Sequence, residues 1–340
     1  MAARTPRAKG VDEPRVRVEA GELSELCRAA VLRHGGSPAM AASLADAIVH
    51  AELRGKSSVG VGHLFDYLDS LVEGRIDGGA QSVATWPTPS LALSDARDSI
   101  PHLAFDGVFE ELVQSARANG VCVLSVRNAY TCGEVGYFVD RLARSGLVAL
   151  AVANATALMS VGGSKRPVLG TNPLAFAVPG EDGPALLVDQ ASSHTAFVSI
   201  RQAAEAGAPI PRDWALDGEG EPTSDAREAL AGALLPFGGY KGGNIALMVE
   251  LLSALSGASW SVDSGPFDSG SRSPAVGMFV LCLDPARFDP AYVSRVSEHL
   301  DRLETEHGAR LPGRGKAEAA RARGCEIPAD ILAKLRKLAA

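Results

Sequence analysis

No stretch of this 340-residue chain approaches the roughly 18 uninterrupted apolar residues that a bilayer crossing requires, so no membrane partner is expected. The first residues, MAARTPRAKGVDEPR, hold no apolar core of the secretory kind, and the expected location is the cytoplasm. Basic runs are missing as well: the formal net charge is -7 and Lys and Arg are scattered, which argues against nucleic acid as a partner. Cysteines number only five, Cys27, Cys122, Cys132, Cys282 and Cys325, mostly in apolar runs; an odd, dispersed set implies free thiols rather than a disulfide framework. Cys132 alone sits in a polar turn. The histidines fall at no HxxxH spacing and CxxC is absent, so no zinc site is expected. No GxGxxG occurs either, which excludes the Rossmann fingerprint. Gly55-Lys56-Ser57 looks like the end of a phosphate-binding loop, but the motif's first glycine falls on His50 and a helix precedes it.

What the chain does have is enough apolar material, 46%, for a large core in two or three units. Residues 1–15 mix charge, Pro and Gly without period and read as a disordered arm. Leu23, Leu26, Ala30 and Val31 share one face of a helix that stops at Gly35. Ser37-Pro38 then supplies N-cap and first position for a second helix carrying Met40, Leu44, Ile48 and Ala51. A third helix shows Leu64, Tyr67, Leu68, Leu71 and Val72 at three-and-four spacing. Beyond Ile76 short strands begin. Helices at 108–118 and 134–144 alternate with strands at 121–126 and 147–153 in the manner of α/β units. Further strands are expected at 174–178, 185–188 and 278–283, with helices at 196–206, 291–305 and 330–338.

One stretch gathers the chemistry. In LLPFGGYKGGNIALMVELLSALSG, Leu234–Gly257, a Gly238-Gly239 turn presents Tyr240 and Lys241 and then enters an uncharged helix. Its apolar residues, Ile245, Leu247, Met248, Leu251, Leu252 and Leu255, are too dense for one wet face, so a mostly buried helix ending at Gly257 is expected. Free backbone N–H groups at a helix start beside a lysine attract phosphate or carboxylate; a tight turn feeding a core helix is the plainer reading. Gly170-Thr171-Asn172-Pro173 offers the same pair of readings, a ligand-facing turn or a hairpin with structural caps.

Taken together, LGTNPLAFAVP, LVDQASS, IPRDWALDGEGEPTSD and this last stretch, in that order, resemble the malate/L-lactate dehydrogenase family of the second type. That family includes ureidoglycolate and sulfolactate dehydrogenases and piperideine/pyrroline-2-carboxylate reductases. The resemblance runs from about residue 20 to 338. It implies an α/β (α+β) fold that is not Rossmann, with a largely antiparallel central sheet and a helical lobe from both chain ends. The implied division is 16–80 with 286–340 as helical lobe, 81–130 with 234–285 as cofactor-binding centre, and 131–233 as an inserted α/β domain. It also implies a homodimer and hydride transfer between NADPH or NADH and a small 2-oxo acid, 2-hydroxy acid or cyclic imine acid.

Carried over position by position, the resemblance assigns Thr131, Cys132, Gly133, Asp189, Gln190, Ala191, Gly239, Tyr240 and Lys241 to the cofactor, with Arg314 and Lys316 after the Pro312-Gly313 turn. The family's Arg-Gly-x-x-Ser-His-Gly loop reads here Arg54-Gly55-Lys56-Ser57-Ser58-Val59-Gly60, so Ser58 is kept and valine stands for histidine. His63 replaces the arginine that usually clamps the substrate carboxylate, Tyr67 is kept, Thr131 stands for a second histidine and Ser199 for the charge-relay position. Ser58, His63, Thr131 and Ser199 are therefore the catalytic candidates, and Val59, Tyr67 and Thr171 the substrate-binding ones. Valine transfers no proton, and losing a positioned acid costs about 10²- to 10⁴-fold in rate. A protonated cyclic imine needs less acid assistance than a ketone, so the expected activity is NAD(P)H-dependent reduction of a cyclic imine carboxylate or modified 2-oxo acid in specialised metabolism. The alternatives are a non-redox lyase, cyclase or isomerase on the same scaffold, and a catalytically silent homologue.

Overall fold

The computed structural model describes residues 14–313 and 324–340; most of the expected N-terminal arm, and Arg314 and Lys316, lie outside the described residues. Strand β1 (Arg15–Val18) leads into α1 (Ala20–Arg33), α2 (Pro38–Leu53) and α3 (Val61–Val72). As the Ser-Pro pair predicts, Ser37 Oγ accepts from Met40 N at 3.2 Å and Pro38 occupies the first helical position. Strands β2 (Val83–Thr88) and β3 (Leu91–Asp95) follow, then α4 (Pro101–Asp106), α5 (Phe109–Asn119), β4 (Val121–Ala129), α6 (Gly136–Arg144) and β5 (Val148–Ala153). Next come β6 (Leu174–Gly180), β7 (Gly183–Gln190), α7 (Phe197–Glu205), β8 (Ala215–Leu216), α8 (Ala226–Leu230) and β9 (Ala233–Leu234). The chain closes with α9 (Tyr240–Ser253), β10 (Val276–Leu283), α10 (Tyr292–Thr305), β11 (Cys325–Pro328) and α11 (Ala329–Ala339).

A seven-stranded sheet of order β2-β3-β4-β10-β5-β6-β7 forms the centre, antiparallel at every pairing except β3 with β4. The helix–strand alternation over 108–153 reads like a parallel α/β unit, and β4 and β5 do run in the same direction. They are not neighbours, because β10 lies between them and pairs antiparallel with both. The sheet also runs without a break across residue 130, where a domain boundary was expected. Helices α4, α5 and α6 cover one face, burying Phe105, Leu112, Phe138 and Leu142 against Leu124, Val126 and Val280. The chain ends meet: β1 pairs with β11, and α11 packs on α1 and α3 around Leu23, Leu64, Leu68, Leu332 and Leu335. The short β1, β11, α4 and α8 were not legible as elements in the sequence.

Helix α9 departs from expectation. Its buried residues are Gly242, Gly243, Ala246, Val249, Glu250 and Ser253, while Leu247, Met248, Leu251 and, just beyond, Leu255 are exposed. Small side chains let the helix lie close on β5 and β10, and the large apolar ones turn outward. Regular helix ends at Ser253, a turn short of Gly257.

Glu250 fixes that helix in place. Its carboxylate, 4% exposed, accepts from Asn172 Nδ2 at 2.9 Å and from the Ser261 amide and hydroxyl at 2.6 Å each. Asn172 Nδ2 also donates to Ala246 O, and Gly170 N to Ser261 Oγ. At Gly170 and Asn172 the Gly-Thr-Asn-Pro turn is thus a structural clamp. Replacing Glu250→Ala strands three buried donors, each at about 1–3 kcal/mol. A clear drop in the urea midpoint is expected, with Glu250→Gln intermediate; unchanged midpoints would contradict the clamp.

Candidate active site

Between α2 and α3 the chain makes a short 3-10 turn at Ser57–Val59 and then passes Gly60, where any Cβ would overlap the Glu52 carboxylate. That carboxylate accepts from Val61 N at 2.8 Å and so starts α3. Lys56 is thereby aimed across the molecule. Its ammonium pairs with the Asp189 carboxylate at the end of β7, lies 3.2 Å from the Asp189 carbonyl oxygen and 3.4 Å from Glu134 Oε1. One helical turn before Arg54, His50 Nδ1 donates to Glu134 Oε2 at 2.7 Å, while His50 Nε2 and Arg54 stand 3.7 and 3.6 Å from the Asp140 carboxylate. Three basic side chains therefore meet three carboxylates, with Glu134, Asp140, Asp189 and Arg54 all nearly sealed from solvent.

Burial sets each proton affinity, and the partners then correct it. For Asp189 burial wins, helped by the Glu134 charge, and its carboxyl rises above the usual range despite Lys56. Burial also opposes ionisation of Glu134, but the hydrogen bond and charge of His50, with Lys56 and Arg54, hold it low. Asp140 is drawn down to about 2 by His50 and Arg144, which outweigh its burial.

Beside this cluster, the first turn of α3 carries His63. Its Nδ1 donates to Asp66 Oδ2 at 2.9 Å, and its ring meets Tyr67 edge-on at 4.9 Å. Tyr67, expected among the substrate-binding residues, is 1% exposed, and its hydroxyl donates to Thr131 O at 3.0 Å. It braces the Thr131–Gly133 turn from beneath. A Cβ on Gly133 would lie 3.2 Å from the Tyr67 hydroxyl and 3.8 Å from His63 Nε2, so the turn and the histidine face each other closely. Thr131 Oγ1 is buried without a partner among the described residues, and burial pushes the Cys132 thiol up to about 12, leaving it protonated. Ser58 and Val59 occupy the 3-10 turn on the same side, with Ser58 exposed.

The chain beyond β7 joins this region to the start of α9. Ser192 N donates to Thr171 O at 2.7 Å, Phe237 N to Ser192 O at 3.0 Å, and His194 N to Leu235 O at 2.8 Å. Gly238 and Gly239 follow with φ of 58° and 64°, left-handed conformations that glycine adopts without strain. No side chain caps α9, the space a Cβ would take at either glycine is open, and Tyr240 is 72% exposed with Lys241 beside it. An uncapped helix N-terminus with a flanking cation in open space fits the phosphates of a dinucleotide.

The structure thus sets His63, Tyr67 and the Thr131–Gly133 turn side by side, joins the Ser58–Val59 loop to Asp189 through Lys56, and ties Thr171 and the segment after Gln190 and Ala191 to the one leading into Gly239, Tyr240 and Lys241 through the main chain of Ser192 and Phe237. Ser199 lies in α7, and its side chain makes no hydrogen bond among the described residues. The Pro312-Gly313 turn docks on β7, with Leu187 N 3.4 Å from Pro312 O, at the edge of a cavity of about 490 Å³ lined partly by Arg54 and Arg144. Sequence reasoning missed His50, Glu134, Asp140 and Asp66. The spacings His50–Arg54 and His63–Asp66 were readable signals; the meeting of Glu134 with Lys56 was not.

His50 makes the cluster pH-sensitive. Burial disfavours its charged form, but Asp140 and Glu134 favour it more, so its folded pKa lies above the ordinary 6.5. The stability it contributes is complete below the unfolded value, near 6.5, and is lost as pH rises through the raised folded value. Urea midpoints are expected to fall from about pH 6 to about pH 9, and to fall less in His50→Gln; equal slopes would refute the charged pair.

This geometry agrees with known proteins. The family described as Malate/L-lactate dehydrogenase matches residues 18–336. The chain is 36% identical over 321 residues to a (2R)-3-sulfolactate dehydrogenase (NADP(+)) of Chromohalobacter salexigens, covering 93% of this chain and 96% of that one. Over 312 residues it is 36% identical to a Delta(1)-pyrroline-2-carboxylate/Delta(1)-piperideine-2-carboxylate reductase of Pseudomonas aeruginosa, covering 89% and 92%. The solved delta1-piperideine-2-carboxylate reductase of Pseudomonas syringae superposes with a TM-score of 0.89 at 31% identity, covering 95% of this chain and 99% of that one. With its fold, its uncapped α9 and these matches in agreement, the chain belongs to the malate/L-lactate dehydrogenase family of NAD(P)-dependent oxidoreductases.

Proposed function

We propose that the protein uses NADPH or NADH to reduce a cyclic imine carboxylate or a modified 2-oxo acid, acting in the cytoplasm as a homodimer within a biosynthetic route. The observation that carries this reading is the open, uncapped N-terminus of α9, tied through Phe237 and Ser192 to the segment that follows Asp189. Backbone N–H groups of Gly239 and Tyr240, with Lys241, hold phosphate, while Thr131, Cys132, Gly133, Asp189, Gln190 and Ala191 flank the remainder of the dinucleotide. When bound, the cofactor supplies hydride. Ser58, Val59, His63 and Thr171 then surround the substrate, with Tyr67 holding the Thr131 turn in position. The imine class is favoured because the similarity extends over nearly the whole length of several pyrroline- and piperideine-2-carboxylate reductases.

The homodimer reading rests on α9. Leu247, Met248, Leu251 and Leu255, with Trp260 and Val262 nearby, leave a contiguous run of large apolar side chains uncovered in one chain. A second copy is the occupant that a closed two-fold contact supplies. Met248→Asp with Leu251→Asp is expected to convert a dimer to a monomer in sedimentation; a wild type that sediments as a monomer contradicts the reading.

Fluorescence titration with NADPH and NADH tests the cradle. The wild type is expected to bind at least one of them, and Lys241→Ala to weaken binding about tenfold to a hundredfold, the worth of one charge-assisted hydrogen bond. Turnover of cyclic imine carboxylates should follow the loss of reduced nicotinamide absorbance. Turnover without that loss favours non-redox chemistry, and no binding of either nucleotide refutes the proposal.

A further inference from the structure

The pairing of His63 with Asp66 carries a more specific assignment, which rests on the reductase reading above. We propose that His63 is the proton donor to the reducible bond of a 2-oxo acid substrate, and that Asp66 is the residue that positions it.

The geometry separates this role from carboxylate binding, the other role position 63 suggests. With Nδ1 donating to Asp66 Oδ2 at 2.9 Å, the remaining ring nitrogen, Nε2, lies on the opposite edge of the ring. That nitrogen has no hydrogen bond among the described residues, and the His63 side chain keeps 13% of its surface exposed. It faces the Thr131–Gly133 turn, where glycine leaves room, and the edge contact with Tyr67 fixes the ring plane. A carboxylate that fixes one imidazole nitrogen and leaves the other to transfer protons is the arrangement of acid–base histidines. As an anion clamp the same pair is poor. The positive charge of a protonated His63 is already met by Asp66, and a substrate carboxylate placed there would meet Asp66 as a like charge.

Groups from several elements surround the His63–Asp66 pair. On α3 itself the neighbours are Asp66 and the protonated Tyr67. From the Thr131–Gly133 turn comes Cys132, a neutral thiol, and from α4 His102, which burial depresses to about 4 and keeps neutral. Arg201 of α7 and Lys334 of α11 both act on Asp66; burial would raise that carboxyl, but His63 first, then Arg201 and Lys334, hold it low and ionised. Among the described residues Asp66 is the one carboxylate hydrogen-bonded to His63.

The step balances. Hydride adds to C2 of the 2-oxo acid, the π pair moves to oxygen, and that oxygen takes the proton of Nε2. The imidazolium becomes neutral imidazole, the reduced nicotinamide becomes oxidised, and water at the open ring edge restores the proton. A protonated cyclic imine already carries its proton on nitrogen, so hydride addition there gives a neutral amine without His63.

The substrate classes therefore discriminate. His63→Gln is expected to lower kcat for 2-oxo acids about 10²- to 10⁴-fold and to lower kcat for cyclic imines by a smaller factor, the ratio between the two classes being the readout. Asp66→Asn keeps an acceptor for Nδ1 but removes the charge, so the alkaline limb of the 2-oxo acid profile is expected to move to lower pH. Independently of turnover, ¹⁵N spectra of the ligand-free protein are expected to show the Nδ1–H tautomer, and Asp66→Asn to lower the titration midpoint of His63. A His63→Gln variant that raises KM at unchanged kcat would overturn the assignment in favour of a carboxylate clamp. So would a His63 titration indifferent to Asp66→Asn. Wild-type protein that binds dinucleotide yet reduces neither class would instead overturn the redox reading itself, and unaltered dinucleotide binding by His63→Gln keeps the two failures distinct.

Discussion

The site depends first on the contact of Lys56 with Asp189 and Glu134. Those three residues come from the loop after α2, the end of β7 and the approach to α6, segments with no reason in local sequence to meet. Carboxylates this deeply buried are unfavourable unless cations accompany them, so the loop that carries Lys56 is held against the sheet edge by charge as much as by packing. Where Lys56 goes, Ser58, Val59 and the start of α3 follow. His50 and Arg54 extend the same logic into α2, and Arg144 of α6 joins them at Asp140, so the helical lobe and the sheet share one cluster in which His50, Arg54, Lys56 and Arg144 accompany Glu134, Asp140 and Asp189. The proposed place for phosphate is outside this cluster, at the uncapped end of α9.

How far the sequence foretold this depends on the range of the interactions involved. Helices α1, α2 and α3 were legible because caps and apolar spacing are local: Ser37-Pro38 both predicted and forms the start of α2. Strand positions were legible from apolar runs, but strand order was not, since nothing near Val276–Leu283 announces that it will separate β4 from β5. The antiparallel sheet was reached through resemblance to a family rather than through periodicity. Short pieces such as β1 and β11 exist because they find each other across the whole chain, which no window of sequence contains.

For the site the same division holds. The Gly238–Lys241 stretch and the motif around Asp189 were recognisable as units, and the structure links them through Ser192 and Phe237. The Gly-Thr-Asn-Pro turn left two readings open, and the buried Asn172–Glu250 bond makes it a structural clamp at Gly170 and Asn172. Tyr67 was read as pocket lining because its position matched a family pattern; position alone does not reveal that its hydroxyl is engaged by a backbone carbonyl. Asp66, three residues from His63 on the same helix, was available to inspection, but its meaning emerged only with the direction of the ring.

Helix α9 shows why its burial was misread. A count of apolar residues measures how much surface a helix must hide and says nothing of what hides it. Three tasks are distributed over its surface. Its first turn, Tyr240 and Lys241, is open at the site; Gly242, Gly243, Ala246, Val249 and Ser253 form a thin face on β5 and β10; Leu247, Met248, Leu251 and Leu255 form a thick face turned away from the sheet. The close approach of helix and sheet is at Ser253 over Gly277 of β10, where a Cβ on Gly277 would overlap the Ser253 carbonyl oxygen, so enlarging that glycine lifts the helix from the sheet. Changes on the outward face leave that distance alone. The seating of the helix is thus governed by the smallest residues at its contact with the sheet, although the largest side chains made the stretch conspicuous.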